Sequence, residues 1–243
     1  KRGPRLDGAA RRLRSQWVRQ FLADPAATKP GTTMPAIFAG WSDEDRDRAI
    51  DALIAFLATE DQPFPEVRST ATAPVATEFW SKGDLDRGKQ LYHQVGCVAC
   101  HEPAADFAAA AQPPSALDET LAQLEPDEIE ELGLAHLTRP VASIPHPDLA
   151  AKYTLESLTH FLLAPEAVRP SGRMPRMKLL PDEAAAIAGW LLREQSDGVA
   201  PDLAPASSER IQEGRRLFTE LRCANCHTAA GAPPASPAMR RQR

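Results

Sequence analysis

Two short segments of the chain combine cysteine and histidine in the same order and could bind a metal-containing group. Residues 97–101 read Cys-Val-Ala-Cys-His and residues 223–227 read Cys-Ala-Asn-Cys-His, and together they use all four cysteines. Two thiols at this spacing can add across the two vinyl groups of a porphyrin, and the adjacent histidine can bind its iron. We therefore predict covalent haem c, with its iron, at both segments. The side chains predicted to hold the two haems are Cys97, Cys100, His101, Cys223, Cys226 and His227.

Other roles for paired cysteines fit these segments less well. A four-cysteine zinc site usually has its second pair within about 20 residues of the first, whereas 126 residues separate Cys97 from Cys223. A thioredoxin-like dithiol requires a strand–helix–strand setting, which the sequence does not indicate. Structural disulfides would not require a histidine after each second cysteine. The sequence therefore favours haem over zinc, dithiol chemistry or disulfides.

The segment before each motif repeats as well. In both copies a glycine stands nine residues, and an aromatic residue five residues, before the first cysteine. Residues four apart share one face of a helix. We therefore predict a short helix before each motif, in which the glycine allows another helix to cross closely and the aromatic ring fills the seam. These residues are Gly88 and Tyr92 in the first copy, and Gly214 and Phe218 in the second.

A second repeat twice places a methionine directly before a proline. In both copies a phenylalanine stands thirteen residues before the methionine, and another proline stands four residues before it. Acidic residues that can begin a helix, and then an apolar helix, follow each copy. A buried methionine usually only fills a core, but its thioether sulfur also suits haem iron, and histidine with methionine is a common ligand pair. We therefore predict that Met34 and Met174 bind iron, whereas Met177 and Met239 stand outside the repeat.

The order of these parts resembles class I cytochrome c modules, in which a glycine-containing helix, the haem motif, a Met-Pro pair and a closing helix follow one another. More narrowly, residues 151–158 (Ala-Lys-Tyr-Thr-Leu-Glu-Ser-Leu) and 169–175 (Arg-Pro-Ser-Gly-Arg-Met-Pro) look like the multi-haem cytochromes of planctomycete-type bacteria. The resemblance implies an all-α fold of tandem small helical domains wrapped around covalent haem. It also implies electron transfer as the function.

Compared with such a module, the chain contains one complete copy and two partial ones. Residues 78–195 contain every part. Residues 1–60 contain a distal methionine and a closing helix without a haem motif, whereas residues 205–243 contain a haem motif without a distal methionine. We therefore expect a piece of a longer protein whose first and last modules are truncated. His101 and Met174 would then bind one iron, while Met34 and His227 would belong to different haems.

The resemblance also implies residues that support the haem of the complete module. The ring of His101 is expected to donate to a backbone carbonyl in the Pro113–Pro114 region, with Pro103 as the competing position. Arg173 and Tyr153 are expected to bind the haem propionates.

An iron with two protein ligands has no open position for a substrate, so an electron carrier is expected rather than an enzyme. His160 is the competitor of Met174 as distal ligand, because it flanks the apolar segment that leads to this methionine. The alternative function is a haem peroxidase-like or other haem enzyme whose open site lies in the third module. A gas-sensing or scaffolding haem array is a third possibility.

Charge is distributed unevenly along the chain, although the net charge is only −5. The first nineteen residues carry seven bases and one acid, whereas residues 118–131 carry seven acids and no base. We expect redox partner proteins and neighbouring haem modules as partners, and no nucleic acid. No stretch reaches the ~20 apolar residues of a membrane span, so a membrane anchor would lie outside this chain. The resemblance implies a periplasmic or other extracytoplasmic location, where haem is attached to this motif.

Overall fold

The computed structural model describes residues 3–69, 74–107, 116–134, 146, 148–170, 172–193 and 206–229. Helices supply all the regular secondary structure in these ranges, which confirms the predicted all-α class. None of the described helices is both long and apolar enough to cross a bilayer. The α-helices are α1 (Ala9–Arg12), α2 (Ser15–Ala23), α3 (Pro25–Thr28), α4 (Asp43–Thr59), α5 (Leu85–Gln94), α6 (Ala116–Leu121), α7 (Pro126–Glu131), α8 (Leu149–Lys152), α9 (Leu155–Leu163), α10 (Pro165–Val168), α11 (Pro181–Arg193) and α12 (Ser208–Glu220).

The chain divides into two compact units. The larger unit consists of residues 1–91 together with 147–243, and the smaller unit consists of residues 92–146. The two terminal segments, which the sequence assigns to different modules, therefore lie in the same unit.

Helices α4 and α12 form one core of the larger unit. Helix α4 begins after Ser42, whose side chain accepts from the backbone N–H of Asp45 at 3.1 Å. Apolar side chains of α4 pack against Leu217 and Phe218 of α12, and the rings of Phe56 and Phe218 lie 5.5 Å apart. A large apolar side chain contributes about 1.5–3 kcal/mol when it is fully buried. The terminal segments are therefore joined by a substantial hydrophobic core.

In each of two helix pairs, one glycine allows the helices to approach closely. A Cβ atom at Gly214 would overlap the carbonyl oxygen of Ala52 in α4. In the same way, a Cβ atom at Gly88 in α5 would overlap the carbonyl oxygen of Ala186 in α11. Any residue larger than glycine would push these helices apart. The predicted role of the two glycines is thus confirmed.

Three short helices occur twice in the larger unit. Helices α8, α9 and α10 begin and end 140 residues after α1, α2 and α3, respectively. Pro25 and Pro165, both buried, begin α3 and α10. Met34 and Met174 follow at the same distance. The methionine repeat that the sequence indicates therefore begins earlier, at residues 9 and 149.

The smaller unit contains the first Cys-x-x-Cys-His motif and the acidic segment. Tyr92 is 1% exposed, and its hydroxyl donates to the carbonyl oxygen of Glu102 at 2.9 Å, which anchors the loop after the motif. A capping box of Glu125 and Glu128 begins α7.

Candidate functional site

The two Cys-x-x-Cys-His motifs adopt the same backbone conformation. Each begins with a single 3₁₀ turn, Cys97–Ala99 or Cys223–Asn225. The N–H groups of the second cysteine and of the histidine donate to the carbonyl oxygen of the first cysteine, at 3.1 and 3.0 Å in the first motif and 3.2 and 3.0 Å in the second. The residue before each motif has a positive φ, 94° at Gly96 and 59° at Arg222. The same turn therefore carries two thiols and an imidazole in both places.

The thiols have properties that differ from those of a reactive dithiol. All four cysteines are free, so the disulfides considered as an alternative are absent, and Cys100 and Cys226 are exposed. Burial raises the pKa of Cys97, and burial, with a smaller contribution from Cys226, raises the pKa of Cys223 to about 11. Reactive dithiols have a lowered thiol pKa instead. The first cysteine of each motif therefore lacks the feature on which dithiol redox catalysis depends.

Two residues of the N-terminal segment, Gly3 and Pro4, contact the ring of His227. The Nδ1 atom of this histidine lies 2.9 Å from the backbone carbonyl oxygen of Pro4. A ring whose Nδ1–H donates to a carbonyl has its Nε2 atom available to bind a metal, and its orientation is fixed. A Cβ atom at Gly3 would lie 2.6 Å from Cε1 of the ring, so a residue without a side chain is needed there. The sequence did not predict this contact, because Pro4 and His227 stand at opposite ends of the chain.

In the smaller unit, the half-buried ring of His101 stacks on His146 with 4.2 Å between ring centres. The Nε2 atom of His146 lies 3.0 Å from the Tyr92 hydroxyl. Burial, and secondarily His101, lower the pKa of His146 to about 4, so this ring is neutral at pH 7. The carbonyl expected near Pro113–Pro114 lies outside the described residues, and the competing Pro103 is exposed.

The two predicted methionine ligands occupy equivalent places in the repeat. Met34 lies between α3 and α4, Met174 lies between α10 and α11, and both are half-buried. Met177 is also half-buried, and Met239 lies outside the described residues. Arg173, expected as a propionate ligand, is exposed.

A group of one buried and three half-buried cations in the larger unit was not predicted from the sequence. Lys152 is 4% exposed, and its Nζ atom lies 4.5 Å from the ring centre of Trp17 and 4.8 Å from that of Tyr153. Burial, and then the charges of Arg169 and Lys29, lower the pKa of Lys152 to about 7. Burial also lowers the pKa of Lys29, with Arg169 as the second cause. These positive groups therefore repel one another inside the protein.

Arg12 belongs to the same group and lacks a full set of partners. Its Nε atom is buried and has no hydrogen-bond partner among the described residues. Burial is the main cause that lowers the pKa of Arg12, and Asp7, the carboxylate that opposes this, is itself ion-paired with Arg5 at 2.5 Å. The Nη2 atom of Arg12 donates to the carbonyl oxygen of Arg5, but a buried N–H group that lacks an acceptor is still costly. The site therefore fits an anionic ligand, and the two carboxylates of a haem have the required charge.

The four cations occupy matching positions of the 140-residue repeat. Arg12 and Lys152 are the last residues of α1 and α8, and Lys29 and Arg169 follow α3 and α10 directly. Lys29 and Arg169 each stand five residues before a predicted methionine ligand. We refer to Arg12, Lys29, Lys152 and Arg169 as the cation group. Its constant spacing is the signal by which sequence analysis could have found it.

Two further histidines, His160 and His93, have aromatic or backbone partners. His160 stacks on Phe64 with 4.4 Å between ring centres. The Nε2 atom of His93 accepts from the backbone N–H of Ala104 at 3.0 Å. His136 lies outside the described residues. The contact with Phe64 gives His160 a structural role, while its competition with Met174 for iron stays a prediction.

Within the ranges that the structure describes, no three histidine, cysteine or acidic side chains are grouped so that they could hold a metal ion. A scan against protein-family models, a search of curated proteins and a search of solved structures each gave no match to this chain.

Proposed function

We propose that the chain transfers electrons through covalently bound c-type haems, as part of a multi-haem cytochrome, and that it acts as a carrier rather than an enzyme. The observation that carries this proposal is the duplication of the site. Two Cys-x-x-Cys-His motifs share one turn with the same hydrogen bonds. Each motif also follows a helix with a glycine at a close helix crossing. Zinc binding or dithiol chemistry does not explain why helix, glycine, turn and histidine recur together.

The residues of the chain then have separate roles. Haem supplies an iron that alternates between the ferric and ferrous states. The four cysteines would hold the group in place, and His101 and His227 would each bind an iron. Met174 and Met34 would also bind iron, which would exclude substrates and leave electron exchange as the accessible chemistry.

The cation group is proposed to hold haem propionates. Lys152 is buried and the other three side chains are half-buried, the group carries excess positive charge, and the Nε atom of Arg12 has no partner among the described residues. Two carboxylates would supply the missing acceptors and lower the repulsion between Lys152, Lys29 and Arg169. Tyr153, predicted as a propionate donor, contacts Lys152 and belongs to the same surroundings. Because Arg173 is exposed, the buried and half-buried side chains of the cation group are better candidates than this residue.

The direct test of the proposal is the haem content of the chain. After expression in a host with cytochrome c maturation machinery, mass spectrometry under denaturing conditions should show two added haem masses. Replacing Cys223 and Cys226 together by Ser should remove one haem mass, and replacing Cys97 and Cys100 should remove the other. A chain that retains zinc and no haem would refute the proposed function.

Lys152→Met tests the role of the cation group. In the haem-loaded chain we expect a lower reduction potential, because a nearby positive charge disfavours the ferric state. We also expect the free energy of unfolding to fall by about 1–3 kcal/mol, since a buried carboxylate loses its partner. Redox titration and urea unfolding measure the two effects, and Lys82→Met, at an exposed position, is the control. An unchanged potential with equal or greater stability would show that no anion is bound there, since removing an unpaired buried charge is stabilising.

The partners and location follow from the same proposal. A carrier needs a donor and an acceptor protein, and the acidic segment of residues 118–131 favours a basic partner surface. Covalent haem attachment implies a periplasmic or other extracytoplasmic location.

A further inference from the structure

We infer that Met34 and His227 are the two axial ligands of one haem, so that the two ends of the chain form a single haem-binding module. The inference rests on the proposed function, because it requires a haem at Cys223 and Cys226. It departs from the sequence-based expectation, which assigned Met34 and His227 to different haems and left each without its second ligand.

The apolar core beside Met34 is also the core beside the second haem motif. Ile37 and Phe38 follow Met34 by three and four residues, and Phe38 is 4% exposed. Both belong to the same hydrophobic cluster as Cys223 and Ala224. The methionine and the motif are therefore attached to one packed body of side chains, not to separate ones.

Backbone hydrogen bonds fix the N-terminal segment along the second haem motif. The N–H of Gly3 donates to the carbonyl oxygen of Cys226, and the N–H of Leu6 donates to that of Thr228, both at 2.8 Å. These bonds flank the contact between the Pro4 carbonyl and Nδ1 of His227. Residues of the N-terminal segment thus do what the resemblance assigns to the loop after a haem motif, namely orient the ligand histidine.

The helix crossing between the two ends matches the crossing inside residues 78–195. Gly214 of α12 meets Ala52 of α4 in the same manner as Gly88 of α5 meets Ala186 of α11. Helix α4 also follows Met34 as α11 follows Met174. The two ends therefore supply the same four parts as residues 78–195, but the methionine and closing helix come first and the haem motif comes last.

No histidine of the larger unit is a better second ligand for this haem. Its two histidines are His160 and His227, and His160 stacks on Phe64. Met174, the other repeated methionine, follows the copy of the repeat that precedes α11 rather than α4. Met34 precedes α4, and α4 shares a core with α12, the helix before the second haem motif. Met34 is therefore the better candidate for the second ligand of this haem.

The ferric spectrum of the complete chain, with both haems attached, tests the inference. Methionine ligation gives a sulfur-to-iron charge-transfer band. We expect Met34→Ala and Met174→Ala each to remove about half of this band and the double variant to remove all of it, because each haem loses its own sulfur ligand. Met177→Ala is the matched control and should leave the band unchanged.

A second set of variants assigns Met34 to the haem at His227. When Cys223 and Cys226 are both replaced by Ser, Met34→Ala should have no further effect on the band, whereas Met174→Ala should abolish it. In the two-haem chain, Gly3→Val should alter only the haem that responds to Met34→Ala, because the added side chain presses on the ring of His227. Gly3→Val keeps every cysteine and ligand, so it gives an answer even where the serine variants do not fold.

The outcomes separate this inference from the proposed function. A two-haem chain whose band is insensitive to Met34→Ala would overturn the inference and leave the proposed function intact. The same holds if Met34→Ala still removes a band after the haem at Cys223 and Cys226 is gone, or if Gly3→Val alters neither haem. A chain without covalent haem would overturn the proposed function itself.

Discussion

Replacing Gly214 by Leu should separate the two ends of the chain. Even the Cβ atom of a larger residue would overlap the carbonyl oxygen of Ala52 and lie 2.8 Å from Cβ of Phe56. Overpacking usually costs about 1–3 kcal/mol when neighbouring side chains can move. A helix carbonyl can move less than a side chain, so we expect the free energy of unfolding to fall by about 3 kcal/mol or more. Because α4 and α12 share one core, the haem proposed at Cys223 and Cys226 should be lost or loosely held.

The controls for Gly214→Leu use the same helix and the equivalent glycine. Gln212→Leu adds the same side chain at an exposed position of α12 and should change stability little. Gly88→Leu should affect the crossing with Ala186 and spare the one with Ala52. Urea unfolding of the haem-loaded chain and limited proteolysis of the N-terminal segment measure the effects. Retention of both haems with wild-type stability in Gly214→Leu would contradict the crossing of α4 and α12.

The features predicted successfully from the sequence depend on residues that are close together in the chain. The role of Gly88 and Gly214 could be predicted because the glycine, the aromatic residue and the motif lie on one helix and the turn after it. Their relative placement is set by the helix period, whatever the tertiary fold. The same holds for the all-α class, which follows from capping residues and helical periodicity.

The pairing of the chain ends could not be predicted in this way. The sequence around Gly88 repeats around Gly214, and the helix of Ala52 has the same place in the repeat as the helix of Ala186. The sequence pattern therefore does not indicate which glycine-containing helix crosses which closing helix. Sequence order suggested that each module is continuous in the chain. In the structure, α4 packs on α12 because the apolar face of each would otherwise be exposed.

The cation group could not be predicted from the sequence for a different reason. A single lysine or arginine at the end of a short helix usually lies in solvent. Lys152 is buried because Trp17, from the other copy of the repeat, covers it. Such burial depends on a contact between residues far apart in the chain, which composition and periodicity do not report.

Replacing Met174 by Ala should change the ligands and the reduction potential of the iron, and it should leave the haem attached. In the proposed function Met174 binds the iron of the haem held by Cys97 and Cys100, and this substitution would alter neither the thioether bonds nor His101. We expect a lower reduction potential, because a weakly donating thioether favours ferrous iron and its loss favours ferric iron. The vacant axial position should also bind cyanide or carbon monoxide.

The measurement is a ferric spectrum and a redox titration of the variant in which Cys223 and Cys226 are Ser, so that one haem is observed. Met177→Ala is the control, since this methionine is equally half-buried but lies outside the repeat. Loss of the charge-transfer band together with a lower potential in Met174→Ala alone would support the assignment.

An unchanged spectrum would mean that another side chain binds the iron in place of Met174. His160 is the first candidate, although binding iron would require its ring to leave the stack with Phe64. In that case His160→Phe, which preserves the stack and removes the nitrogen ligand, should change the spectrum that Met174→Ala left unaltered.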